Sequence, residues 1–204
     1  MLQMARGDTK GAQVSRMAQR ASGVLAAVGL ALAFAGSANA NLLVNGGFEN
    51  PGTGTTIPGW TQGGDTSFNG VECPGPGLVF EGNCDYFAGP LTSSTLTQTF
   101  NTVIGGNYVV SFALNPDGGT PSSFLATLNG NTLFSASNTP DLPYTLHRIL
   151  TTATTASSTI QFTFSNPSGF WGLDAVAVDV PEPAPIALLG LGLAGLWLGK
   201  RRKS

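Results

Sequence analysis

The chain has 204 residues, 42% of them hydrophobic and 10% charged, with nine Lys and Arg against eleven Asp and Glu. Eight of the nine bases fall before residue 21 or after residue 199, so residues 41–180 hold one base, Arg148, against nine acids and carry a net charge of about −8. Such a segment repels phosphate backbones, which excludes nucleic-acid binding by charge neutralisation, and its roughly 140 residues suffice for one domain with its own core but not for two.

The first forty residues read as an export signal. Arg6, Lys10, Arg16 and Arg20 form a basic start, residues 24–35 are a continuous apolar run, and Ala38-Asn39-Ala40 sets small residues at the −3 and −1 positions. This is the order of a secretory signal peptide, which signal peptidase would cut between Ala40 and Asn41.

Past that cut, short runs rich in Thr, Val and Phe alternate with clusters of Gly, Pro, Asn and Asp. Strands are expected over residues 42–48, 77–80, 94–100, 108–114, 124–128, 132–135, 144–151, 159–164 and 172–178. Ile160, Phe162 and Phe164 alternate with Thr159, Gln161, Thr163 and Ser165, the period of two that lines one face of a sheet with apolar groups. Asn129-Gly130 supplies a hairpin turn in which positive φ is tolerated. No stretch between the two ends sustains a helical period, so the expected class is an all-β antiparallel sandwich or barrel.

Cys73 and Cys84 both lie in the exported segment, with ten residues between them. In an oxidising compartment an even pair at this spacing most simply forms a disulfide, and closing so short a loop stabilises by roughly 3 kcal/mol. A metal site built on the two thiols lacks partners, because His147 is the only histidine and is remote in sequence.

The same scarcity bears on catalysis. A Ser-His-Asp arrangement needs an imidazole beside a nucleophile, and alternation within residues 144–150 faces His147 with Thr145 and Ile149 or leaves it near an edge. No Gly-x-Ser-x-Gly elbow, Gly-rich phosphate loop or His-Glu-x-x-His is present. Nine acids permit a glycosidase-like pair, but no pair is marked out by the sequence. Binding of sugars would use aromatic faces with nearby Asn, Asp and Gln. The aromatic candidates are Trp60, Phe68, Tyr86, Phe87, Tyr144, Phe170 and Trp171. Trp60, after Pro58-Gly59, is assigned to the core. Phe68, Tyr86 and Phe87, flanking the expected disulfide, and Trp171, after a Pro-Ser-Gly turn, are the expected ligand-binding residues.

The chain closes with Val180-Pro181-Glu182-Pro183, sixteen uncharged residues over 184–199, and Lys200-Arg201-Arg202-Lys203. A helix over the apolar part would satisfy its own backbone in lipid. The part after Pro185 spans only about 21 Å against a hydrocarbon core of about 30 Å, so the basic tail would have to snorkel to the headgroups. The positive-inside bias places that tail in the cytoplasm and residue 41 outside.

This order of motif, apolar span and basic tail resembles the PEP-CTERM sorting signal of Gram-negative bacteria, also known as an ice-binding-protein-like C-terminal motif. The resemblance implies processing by an exosortase, a membrane-embedded cysteine transpeptidase-like enzyme, near Val180, Pro181, Glu182 and Pro183. It further implies an inner-membrane intermediate, delivery to the cell surface, outer envelope or extracellular matrix, and association with exopolysaccharide and biofilm.

The stretches Asn41-Leu42-Leu43-Val44-Asn45-Gly46-Gly47-Phe48-Glu49 with Ile57-Pro58-Gly59-Trp60, Gly106-Asn107-Tyr108-Val109-Val110-Ser111-Phe112, and Gly172-Leu173-Asp174-Ala175-Val176-Ala177-Val178 resemble the first, central and last strands of galactose-binding-like jelly rolls. The resemblance implies an antiparallel jelly-roll sandwich over 41–179, between a signal helix at 1–40 and a sorting signal at 180–204 with its transmembrane helix. In several such modules the Glu after the first strand and an acid on the neighbouring last strand share a structural calcium ion. By position this nominates Glu49 and Asp174, although Ala175 stands where a second adjacent acid is common.

The functional expectation is an exported, non-catalytic surface or matrix protein that binds extracellular polysaccharide. A structural envelope protein without a ligand site and a polysaccharide-modifying enzyme stand as alternatives.

Overall fold

The computed structural model describes residues 41–53 and 56–181. The signal segment with Ala40, and Glu182, Pro183, the expected transmembrane span and the tail Lys200, Arg201, Arg202 and Lys203 lie outside the described residues. Val180 and Pro181 are exposed immediately past the last strand.

Ten strands follow one another in chain order: β1 (Thr61–Gly64), β2 (Asn69–Glu72), β3 (Asp85–Ala88), β4 (Ser94–Asn101), β5 (Asn107–Pro116), β6 (Ser123–Leu128), β7 (Asn131–Ser137), β8 (Thr145–Thr152), β9 (Ser157–Ser165) and β10 (Trp171–Asp179). They form two five-stranded sheets in the orders β1-β4-β9-β6-β7 and β2-β3-β10-β5-β8, antiparallel throughout. No helix occurs among the described residues. This is the all-β jelly-roll sandwich that the alternation implied.

Period-two alternation explains the core. Phe124 pairs with Phe164, Ala126 with Phe162 and Leu128 with Ile160 across β6 and β9, so each apolar residue meets another on the inner face. The second sheet answers with Tyr86, Tyr108, Val110, Phe112, Trp171 and Leu173, all buried. Rings interlock between the layers: Phe124 meets Phe112, Phe134, Phe162, Phe164 and Trp171 at centroid separations of 5.4–6.1 Å. Trp60 joins from a loop, stacking near Phe48 at 5.7 Å and donating its indole N–H to the Asn45 carbonyl at 3.0 Å.

Seven expected strands appear with small shifts at their ends. Residues 42–48 do not form one: Asn45 and Phe48 take φ of 55° and 56°, which breaks an extended ladder. The segment still runs beside β10, with Leu42 N–H donating to the Val178 carbonyl at 3.0 Å and Val176 N–H to the Gly46 carbonyl at 2.9 Å. A Cβ at Gly46 would overlap the Val176 carbonyl, so only glycine permits this approach. Residues 77–80 also turn rather than extend, because positive φ at Gly75 and Gly77 coils the chain between the cysteines. β1, β2 and β3 were not expected; each has four residues, too few to show a period. Asn129 and Gly130, at φ of 50° and 80°, make the anticipated two-residue turn between β6 and β7.

Cys73 and Cys84 are disulfide-bonded, joining the end of β2 to the start of β3 just beyond the register pair Glu72 and Asp85. Reduction is expected to lower the unfolding free energy by roughly 3 kcal/mol. Denaturant unfolding with and without reductant checks this, and coincident curves would remove the staple's assigned role.

Candidate functional site

Register decides which side chains of the second sheet face outward. Tyr86 and Trp171 point into the core, so their strand neighbours Asp85, Phe87 and Gly172 point away from it. Pairing carries that outer surface to Gly70 and Glu72 on β2 and to Asn115 on β5. A Cβ at Gly172 would overlap the Tyr144 hydroxyl. Glycine there lets Tyr144 lie across the sheet and donate its O–H to Asp85 Oδ2.

Two loops, one after β5 and one before β10, complete the surface. Asp117 accepts from Phe170 N–H at 2.5 Å and Gly119 N–H at 3.0 Å, and from the Asn166 side-chain amide at 3.2 Å. Held this way, Phe170 sets its ring edge-on to Phe87 at 5.9 Å while remaining 43% exposed. Between them and the sheet lies a hollow of about 300 Å³ walled by Glu72, Asp85, Phe87, Asn115, Asp117 and Phe170. Phe170 also borders a neighbouring hollow of about 260 Å³, whose wall includes Phe68. Asp85 is only 5% exposed, and burial pushes its carboxyl up, opposed by the Tyr144 hydrogen bond and reinforced by Glu72. Burial, then the bond to Asp85, pushes the Tyr144 phenol up as well. The arrangement presents aromatic faces beside hydrogen-bonding groups, the combination that orients a small polar ring.

Glu49 and Asp174 meet the same loop, residues 81–84, from two sides. Glu49 Oε1 accepts from Asn83 N–H at 2.7 Å and Cys84 N–H at 3.0 Å, which lowers its pKa. Asp174 Oδ2 accepts from Glu81 N–H at 2.9 Å and Oδ1 from Ala175 N–H at 2.6 Å. A β-bulge aims it there: one extra residue on β10 between Asp174 and Ala177, with Ala175 at φ of 50°. Asp174 is fully buried, and that burial pushes its carboxyl up to about 6. The amides lower it only in part, and Glu81 raises it further. Hard carboxylate oxygens that both bind the loop at residues 81–84, in a segment whose only base is Arg148, suit a calcium ion chemically. Among the described residues no group of three or more His, Cys, Asp and Glu converges on one point. The remaining ligands would therefore have to be backbone oxygens or water.

Of the four expected ligand-binding residues, the structure brings Phe68 and Phe87 to the two hollows and takes the other two away. Tyr86 and Trp171 are 0% exposed. Tyr86 donates to Gln62 at 3.0 Å and accepts from Asn69 at 3.1 Å, while the Trp171 indole donates to the Ser165 carbonyl at 3.2 Å. Both side chains are core, because they occupy inward positions of β3 and β10. His147 also faces inward, its ring 4.3 Å from Phe134, with its pKa lowered by burial. Glu72, Asp85, Asn115 and Asp117 were not singled out from sequence. Alternation within Asp85-Tyr86-Phe87-Ala88 was the available signal for the first strand of the site.

The fold is that of carbohydrate-binding-module sandwiches. TmCBM61, solved in complex with β-1,4-galactotriose, is 20% identical with a TM-score of 0.58, over 70% of this chain and 99% of that one. A family 16 carbohydrate-binding module is 13% identical with a TM-score of 0.50, over 68% and 99%. The enzymatically active domain of bacteriophage CBA120 tailspike protein 4 is 13% identical with a TM-score of 0.53, over 69% of this chain but only 21% of its own length. Residues 179–203 match the PEP-CTERM protein-sorting motif, which marks the chain for export and sorting to the cell surface. No curated protein sequence matches the chain significantly.

Proposed function

We propose that this is an exosortase-sorted, non-catalytic saccharide-binding protein of a Gram-negative surface or extracellular matrix. Its sandwich holds extracellular polysaccharide on the outer face of the second sheet. Phe87 and Phe170, set beside a hollow of about 300 Å³ that Glu72, Asp85, Asn115 and Asp117 border, are the observation that carries this reading. Aromatic faces stack on pyranose rings, and Asn115 and the carboxylates accept from or donate to hydroxyls. That TmCBM61 was solved with a galactotriose on the same fold supports a sugar ligand without naming one. His147, turned into the core, is no base for chemistry in the hollow. Signal peptidase releases the chain at Ala40, the inner membrane holds it briefly, and exosortase acts at the exposed start of the motif, Val180-Pro181.

In the same reading Glu49 and Asp174 hold a structural calcium ion that neutralises the buried carboxylate and fixes the loop at residues 81–84.

A glycan array probed with the folded full chain and with Phe87→Ala tests the binding claim. Phe87→Ala is expected to weaken the best glycan by about tenfold or more, roughly 1.4 kcal/mol. No glycan above background would leave a structural envelope role instead, and turnover of a glycan that one acid-to-amide change abolishes would make the protein an enzyme.

A further inference from the structure

The hollow is one-sided in charge. Glu72 and Asp85 are register partners on β2 and β3, and Asp117 forms another wall. Arg148, the only base in residues 41–180, stands on β8 at the opposite edge of the sheet.

The three carboxylates are not equivalent. Asp117 is committed to its loop, with donors on both oxygens. Asp85, whose side chain helps wall the hollow, is only half committed: Oδ2 takes the Tyr144 hydroxyl, whereas Oδ1 is buried with no hydrogen-bond partner. A buried acceptor without a donor is costly, and a second carboxylate beside it adds repulsion. A sugar hydroxyl would supply the donor and leave the repulsion. An ammonium supplies up to three N–H donors and the missing positive charge. A uronate or sulfated sugar would bring a further negative charge against Glu72.

Resting on the saccharide-binding reading above, we propose that the hollow takes an amino sugar whose nitrogen is free. The ammonium lies beside the Asp85 and Glu72 carboxyl groups, and the ring lies against Phe87 and Phe170. The ligand class is therefore a polysaccharide at least partly without N-acetyl groups. The upward push on the Asp85 carboxyl is what such a cation would reverse.

Calorimetric titration of the full chain, in a zwitterionic detergent without sugar headgroups, tests this with short oligomers of glucosamine, N-acetylglucosamine, neutral galactose and galacturonate. The glucosamine oligomer is expected to bind about tenfold tighter than the acetylated one, and added salt should narrow the gap. Glu72→Gln, on an exposed edge-strand position, should remove most of that preference. Phe87→Ala should weaken both. Neutral or acetylated oligomers binding as well as glucosamine would overturn the charge assignment and leave saccharide binding standing. Glucosamine binding untouched by either substitution would be diffuse attraction to an acidic chain, and would overturn it too. No binding by any oligomer would sink this inference and the proposed function together.

Discussion

Phe124→Ala is expected to lower the unfolding free energy by about 3–5 kcal/mol. The reason is where the ring sits: 1% exposed on β6, it touches aromatic rings from both sheets, including Phe112 and Trp171 on one side and Phe162 and Phe164 on the other. Truncation removes buried apolar area and leaves a cavity that rings on opposed sheets cannot readily collapse into. For a domain of roughly 140 residues this corresponds to a fall in Tm of about 10–20 °C. Leu150→Ala, on the exposed face of β8, serves as the contrast and should change stability by no more than about 0.5 kcal/mol. Thermal unfolding of both variants checks the pair, and equal shifts would mean that the layers do not share one core.

The second large effect belongs to Asp174. Its carboxyl is raised to about 6 in the folded protein against an ordinary value of 3.8, so the folded state binds the proton more tightly than the unfolded one. The stability it contributes is fully present below about pH 3.8 and is lost as pH rises through about 6. Asn at this position does not titrate. In chelator, therefore, the stability of Asp174→Asn relative to the parent should improve by on the order of 2–3 kcal/mol between pH 4 and pH 7.5. Glu49 acts in the opposite sense, its lowered pKa adding stability that is lost only as pH falls, but it is common to both proteins and cancels. Calcium should then act against that relative gain at pH 7.5: the parent gains about 2.7 kcal/mol at a hundredfold excess over Kd, and the Asn variant gains little. A parent indifferent to calcium and chelator would end the assignment of an ion to Glu49 and Asp174.

How much of this was readable in the chain follows from the physics of each signal. β9 was legible because Ile160, Phe162 and Phe164 spell out one face over nine residues, long enough for a period to show. β3 was not, since four residues between a cysteine and a Gly-Pro pair give no period to measure. That gap explains the misplacement of Tyr86: proximity to the cysteines suggested a loop, whereas strand alternation turns it inward and its neighbours Asp85 and Phe87 outward. Trp171 misled in the same way, because the exposed turn ends at Phe170 and β10 begins one residue later. The opening segment kept its expected place beside β10 but not its expected conformation, as positive φ at Asn45 and Phe48 is a tertiary accommodation to Val176 and Trp60. The disulfide was legible from compartment and count alone.

What no single-strand pattern could reveal is the hollow itself. Its walls come from β2, β3, β5, β10 and the loops after β5 and before β10, and they meet only because the sheet order places β10 between β3 and β5. The glycine at 172 gave no sequence signal either, since its role is to leave room for a tyrosine 28 positions earlier.

Backbone-amide NMR of the isotopically labelled protein, recorded while a bound saccharide is titrated in, measures the ligand face most directly. The amide shifts should concentrate at residues 70–72, 85–89, 115–117 and 168–172, around both hollows. Shifts confined to the outer face of β4, β9 and β6, with the residues around Phe87 and Phe170 unmoved, would contradict the account.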